Sequence, residues 1–197
     1  MSVSPAEPRR RGPAPSLRPA DVVAEALRLL DLHGEPGFSM RALGEALGVS
    51  PMTIYTYVTT KSHLVELVID SVIETIVPPE PDAPRWQDEL RRYALEAWDA
   101  QVPHPWIPAY LAGRGIVERP AQATARTALK RLFEAAGADD AGAREGVAVF
   151  FSFMIGSFVQ VAPAVADHGP SERSRALFVQ SLNIVISGLQ HRFLPSL

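Results

Sequence analysis

The sequence predicts an all-α chain, a small N-terminal helical domain joined to a larger helical one. Three observations carry this. Apolar residues recur at spacings of three and four in almost every segment, the period of one helix face. Ser, Thr, Pro and Gly stand at the ends of those segments as start and stop signals. No segment alternates as a strand, with one doubtful exception: TIYTYVTT at 53–60 is wholly β-branched or aromatic, so propensity alone favours a strand.

Residues 1–17, rich in Pro, Arg, Ala and Ser, are expected to form a disordered basic arm. A helix is expected over about 19–33, where Pro19 suits the first turn and Asp21 the positive end of the dipole. Val22, Val23, Ala26, Leu27, Leu29 and Leu30 give it a broad apolar stripe, and Gly34 stops it. Arg18 in the N-cap slot offers no acceptor, so fraying is expected there. Ser39 caps a short helix over 40–47, with Met40, Leu43 and Leu47 on one face and Gly48 placed to end it. Ser50 as N-cap and Pro51 at the first helical position then start a helix over 51–57. These signals settle the doubtful stretch as helix, because propensity is a weak prior that context overrides. Thr60 caps a helix over 61–77 carrying Leu64, Leu67, Val68, Val72, Ile73 and Ile76, and Pro78-Pro79 ends it.

PPEPDAP at 78–84 is the clearest internal boundary, dividing a domain over 18–77 from one over 78–197. Beyond it, Trp86, Leu90, Tyr93 and Ala97 form one helical stripe. Residues 103–113, constrained by Pro103, Pro105 and Pro108, are expected to hold only a short helix. Further helices are expected over 120–136, ended by Gly137, and over 140–162, where Pro163 kinks or ends the run. The last runs from a Ser171 cap to about Phe193.

Composition bounds the function. The chain has 197 residues, 47% hydrophobic and 21% charged, enough for a sizeable core. It has no cysteine, which excludes disulfides, thiolate metal sites and thiol nucleophiles and fits a reducing cytoplasm. The N-terminal stretch lacks the apolar core of a secretory signal. The most apolar run, VAVFFSFMIGSFVQV at 147–161, is shorter than the roughly 20 residues a spanning helix needs, so a buried helix and no membrane partner are expected. The net charge of −3 is uneven: four Arg and one Glu in residues 1–20, but twelve basic against sixteen acidic residues over 64–197. A basic tip on an acidic body suits a polyanion at the N-terminal end.

Two short helices joined by Gly48-Val49-Ser50 are a minimal helix-turn-helix. Ile54 and Val58 lie one turn apart and can pack on Leu43, Ala46 and Leu47, with small Ala46 allowing close approach. The other face presents Met52, Thr53, Tyr55 and Thr56: hydroxyls, methyls and an aromatic ring, with no charge. Such groups suit a DNA groove, because Thr can meet phosphate, base edges or a thymine methyl, and Tyr can reach phosphate oxygens. Arg41 and Lys61 would supply charge near the backbone, with the helix-end amides beside Lys61. The segment FSMRALGEALGVSPMTIYTYVTTKSHLVELVID resembles the DNA-binding domain of TetR-family transcriptional regulators over about residues 18–76. Its Arg41–Val49 helix and turn, Thr53-Ile54-Tyr55, Tyr57-Val58 and the spacing to Lys61 and Leu64 carry the match. It departs in having no charged or amide side chain between Pro51 and Thr60. The resemblance implies a homodimer that sets one helix 51–57 per subunit in a major groove of a pseudo-palindromic operator on double-stranded DNA. It also implies a small-molecule effector bound in the C-terminal domain, with helix 61–77 as the lever. The expected DNA contacts are Ser39, Arg41, Ser50, Met52, Thr53, Tyr55, Thr56, Tyr57 and Lys61.

The C-terminal domain is read from its apolar residues. Trp86, Tyr93, Trp98, Trp106, Tyr110, Phe133, Phe151, Met154 and Phe158 are candidate walls of an effector pocket, and His104 could orient a polar ligand group. An apolar or aromatic effector is expected. Helix 147–161 is apolar almost all round, and 174–193 carries two apolar stripes, Phe178, Leu182, Val185 and Leu189 beside Leu177, Ile184 and Gly188. A helix with two apolar faces needs two packing partners, so Phe151, Ile155, Phe178, Leu182, Val185 and Leu189 are assigned to a dimer interface, with Ser152 and Gly156 allowing close helix contact. No catalytic or metal residues and no cofactor are assigned. G-x-S-x-G, H-E-x-x-H, phosphate-binding and EF-hand loops are absent, and the five histidines lack metal spacing. Two alternatives stay open: an all-α small-molecule carrier with a vestigial helix-turn-helix, and a helical enzyme with a pocket in residues 85–197.

Overall fold

The computed structural model describes residues 17–112, 120–168 and 171–193; the expected basic arm lies almost wholly outside them. Every regular element among the described residues is helical. The first is α1 (Pro19–Gly37), broken at Gly34, whose φ of 65° only glycine adopts without strain. Its start is not left to fray. Asp21 accepts from the Arg18 backbone N–H at 3.2 Å and from the Arg18 guanidinium at 2.7 Å, so the carboxylate at the third position replaces the missing cap.

Next come α2 (Met40–Leu47) and α3 (Pro51–Ile54). Ser39 accepts from Ala42 N–H at 3.1 Å and Ser50 from Thr53 N–H at 3.2 Å, as their positions predict. Gly48 ends α2 in the left-handed region at φ 68°. The small residue that lets the two helices meet is Gly44 rather than Ala46. A Cβ on buried Gly44 would stand 2.8 Å from the Val49 carbonyl oxygen, whereas Ala46 faces solvent. After Ile54 the chain does not stay α-helical to residue 57. Thr56 N–H reaches back to Thr53 O (3.2 Å) and Tyr57 N–H to Ile54 O (2.9 Å), the tighter three-residue pattern common at helix ends.

Thr60 caps α4 (Lys61–Ile73), its hydroxyl accepting from His63 N–H at 3.0 Å. This helix ends four residues earlier than its apolar pattern suggests. Its last turns tighten, with Ile76 N–H on Ile73 O at 3.0 Å, and Val77, before Pro78, is barred from the helical region. Ile54 and Val58 are buried with Leu43, Leu64 and Val68 in one core, which orients α3 against α2 and α4.

The remaining helices are α5 (Trp86–Gln101), α6 (Trp106–Ala112), α7 (Pro120–Ala135), α8 (Asp140–His168) and α9 (Glu172–Phe193). α8 continues past Pro163, and it packs against α5, α6, α7 and α9. Its segment Asp140–Ala162, 23 residues with an 18-residue window of mean hydropathy 1.6, is by length and composition apolar enough to cross a membrane, so the expectation that no stretch reaches that length is corrected. Its inner face, including Val147, Phe150, Phe151, Met154 and Phe158, is part of the core, while Val149, Ser152, Ile155, Gly156, Val159 and Gln160 face outward.

On α9 the two apolar stripes divide. Phe178, Leu182 and Leu189 are buried within the single chain, as is Phe151 on α8, and Val185 is half-buried. These residues, assigned to a dimer interface from spacing, are occupied by the chain's own core. Trp98 stacks on Phe178 with ring centroids 4.2 Å apart. Of that set Ile155 alone is exposed, and it shares the outer surface with Leu177 and Ile184. α4 packs on α5 and α7, and α1 on α6, so the first four helices and the last five meet along two seams.

Candidate functional site

The helix-turn-helix presents a small outward face. Met52 is 72% exposed and Tyr55 41%, while Ile54 between them is wholly buried. Ile54 therefore anchors the turn, and its neighbours are held outward by helical geometry. The Tyr55 hydroxyl makes no hydrogen bond among the described residues; its backbone N–H closes the helix on the Pro51 carbonyl at 3.2 Å. The two threonines differ from expectation. Thr53 pairs its hydroxyl with Ser50 Oγ at 3.0 Å, and Thr56 donates to Thr53 O at 2.7 Å, so both hydroxyls are turned onto their own helix. Tyr57 donates to the Leu17 carbonyl at 2.7 Å and ties the turn to the start of α1. Met52 and Tyr55 remain as side chains with no local polar task.

The two predicted cations are unequal. Arg41 lies over Glu45 at 3.0 Å with both side chains largely in water, a pair of little strength that phosphate can displace. Lys61 is more firmly held. Its ammonium lies 3.0 Å from the Glu35 carbonyl, 3.0 Å from the Glu35 carboxylate and 5.7 Å from the Phe38 ring centroid. It joins α4 to the end of α1 at Glu35 and to Phe38 just after it, so it braces the domain besides lying at the α4 N-terminus. The caps Ser39 and Ser50 point their hydroxyls at backbone amides.

The ten predicted pocket residues fall into three groups. Trp86 and Phe133 form an edge-to-face pair at 5.8 Å, and Trp98 stacks with Phe158 at 5.9 Å, so these four are packed core. His104 and Trp106 reach across to the first four helices. His104 Nδ1 lies 2.7 Å from Asp31 Oδ1, and Trp106 Nε1–H donates to the same oxygen at 2.8 Å. His104, expected to orient a polar ligand group, is thus engaged with α1 instead. Tyr93, Tyr110, Phe151 and Met154 remain, buried in α5, α6 and α8. A cleft of about 280 Å³ is lined by one of the ten, Trp98, together with Asp99, Val102, Pro103, Ser171, Glu172 and Arg175. No group of metal-binding side chains occurs among the described residues.

Asp31 was missed by the sequence reading, because nothing local marks an aspartate on α1 as the acceptor for residues 73 and 75 positions away. Asp31→Ala leaves the buried Trp106 N–H without its acceptor and is expected to lower the unfolding free energy by about 1–3 kcal/mol. Asp31→Asn, which keeps an acceptor, is expected to lose less than half of that; urea denaturation of the three proteins measures both.

A capped two-helix turn that holds Met52 and Tyr55 outward, seated on a third helix, defines a helix-turn-helix protein of the DNA-binding class. Residues 22–68 match the profile of bacterial regulatory proteins, tetR family. The chain is 29% identical over 168 residues to an HTH-type transcriptional regulator of Saccharopolyspora erythraea, covering 85% of this chain and 70% of that one. It is 34% identical over 98 residues to the HTH-type transcriptional repressor DrrR1 of Streptomyces coeruleorubidus, spanning 49% of this chain and 36% of the relative. Its fold is similar to that of a TetR variant from Acinetobacter baumannii in complex with minocycline, with a TM-score of 0.76 at 20% identity, over 90% of this chain and 99% of that one. Residues 22–68 thus match the DNA-binding segment of the TetR family, and the chain is similar in sequence to transcriptional regulators and in fold to TetR.

Proposed function

We propose that this chain is a TetR-family transcriptional regulator, a cytoplasmic repressor that binds a pseudo-palindromic operator as a homodimer and is released by a small aromatic or apolar effector. The observation that carries the DNA reading is the outward pair Met52 and Tyr55 on a turn anchored by buried Ile54. Tyr55 meets phosphate or a base edge, Met52 supplies apolar contact in the groove, and Arg41 leaves Glu45 for a phosphate. Lys61 adds charge at the α4 amides without leaving Phe38. The homodimer reading rests on an apolar outer face of α8 and α9, with Val149, Ile155, Val159, Leu177 and Ile184 all exposed in the single chain. Gly156 and Gly188 lie on the same two helices with open space where a Cβ would stand, room for a second copy's helices. The effector reading draws support from the fold neighbour's minocycline complex and from the aromatic lining of α5–α8. Release would run through the two seams, α4 on α5 and α7, and Asp31 on His104 and Trp106.

The test is a mobility shift with DNA flanking the chain's own gene, at rising salt. Specific binding should weaken by about 0.9 log unit per tenfold salt for each phosphate neutralised. An absence of specific binding, there and after selection from random DNA, would sink the reading in favour of a carrier or an enzyme.

A further inference from the structure

Three cations in the last five helices, Arg126, Arg131 and Arg173, meet no acid among the described residues, and the first of them lies over a ring. Arg126 on α7 lies with its guanidinium carbon 4.3 Å from the centroid of the Phe151 ring on α8. No hydrogen bond or carboxylate among the described residues engages it. Its neighbours are matched differently. Arg92, the other cation whose charge reaches Tyr93, is held by Glu89 at 2.6 Å and Glu96 at 2.7 Å. The Tyr93 ring lies 6.0 Å from Phe150, which meets Phe151 edge-on at 5.8 Å. Tyr93, Phe150, Phe151 and Arg126 thus form one chain of contacts across α5, α8 and α7. The Tyr93 side chain is buried, and its hydroxyl has no hydrogen-bond partner among the described residues. Burial pushes that phenol up to about 12, against the opposing pull of Arg126 and Arg92, so it is a neutral donor at physiological pH.

We propose that Arg126, seated on Phe151 and beside the Tyr93 phenol, holds the anionic group of an aromatic effector. This rests on the effector reading above and narrows its ligand from apolar or aromatic to aromatic and negatively charged. A guanidinium stacked on a ring keeps its N–H edge free, and that edge matches a carboxylate or an ionised phenol in a forked pair. The Tyr93 O–H supplies a third donor. Phe151, 8% exposed and backed by wholly buried Phe150, offers the adjoining apolar edge for the effector's own ring. A neutral ligand would leave both polar groups unused in a half-buried setting.

The experiment is calorimetric titration of the full chain with naphthoate and with naphthamide, its neutral twin of the same shape. Naphthoate should bind about tenfold or more tightly than the amide, the worth of one charge-assisted hydrogen bond. Arg126→Gln should bring naphthoate down to the affinity of the amide, and Arg126→Lys should retain part of the preference. Naphthol at pH values either side of its ionisation separates a phenolate from a carboxylate ligand, and tighter binding of the ionised form again supports the proposal. If both ring compounds bind equally, the charge inference fails while the effector reading stands. If Arg126→Gln lowers the melting temperature but keeps the preference, Arg126 is a structural cation on Phe151 and the proposal is overturned. If neither compound binds at millimolar concentration, the inference and the effector reading fall together.

Discussion

Tyr55→Ala is expected to lower operator affinity about 100-fold while leaving the melting temperature within a degree or two. One phosphate or base-edge contact is worth about 1–3 kcal/mol, and a homodimer loses it twice, so about 3 kcal/mol is a moderate total. The fold should survive because the Tyr55 side chain is exposed and its hydroxyl makes no hydrogen bond among the described residues, whereas Ile54 beside it is wholly buried. Ile54→Ala is the contrasting change: it removes a core side chain and should cost about 2–5 kcal/mol of stability along with binding. Lys61→Ala would be a poorer probe, since it also releases Glu35 and uncovers Phe38. Fluorescence anisotropy on a labelled operator and thermal melts followed by circular dichroism give the two readouts. Unchanged affinity in Tyr55→Ala would remove this face from the DNA contact.

The difference between Tyr55 and Lys61 marks where sequence reading stops. Local signals were legible. Ser39, Ser50 and Thr60 each accept the backbone hydrogen bond that their cap positions predict. Gly34, Gly48 and Gly137 take positive φ where the helical pattern breaks. Such interactions close within four residues, so a short window holds all the information. Lys61 meets Glu35 across 26 positions, and Asp31 meets His104 across 73. No periodicity encodes those meetings. Small residues were misread for a related reason. Gly44 and Ala46 both sit in α2, but only the placement of Val49 and Pro51 decides which one is approached closely. For the candidate site, the outward face of α3 was legible once its start was recognised. The direction of its hydroxyls was not, because Thr53 and Thr56 choose between a groove and their own helix by rotamer.

The two stripes of α9 pose the same difficulty with a larger consequence. Phe178, Leu182, Val185 and Leu189 make as good a helical stripe as Leu177, Ile184 and Gly188, and spacing cannot rank them. The packing ranks them through Trp98 on Phe178, which turns the first stripe inward and leaves Ile184 73% exposed. Two substitutions only two residues apart therefore separate. Ile184→Asp should leave the subunit folded but place two carboxylates in an apolar dimer seam, shifting the protein from dimer to monomer in light scattering at micromolar concentration. Full-operator affinity should then fall by about 10²–10⁴-fold, because the two half-sites no longer share one tethered partner. Leu182→Asp should instead unfold the subunit, since Leu182 is wholly buried and an unpaired carboxylate there has no solvent. A folded Ile184→Asp protein that remains dimeric and keeps its operator affinity would move the homodimer contact off this face of α8 and α9. The exposed Val149, Ile155 and Val159 would then need another partner to cover them.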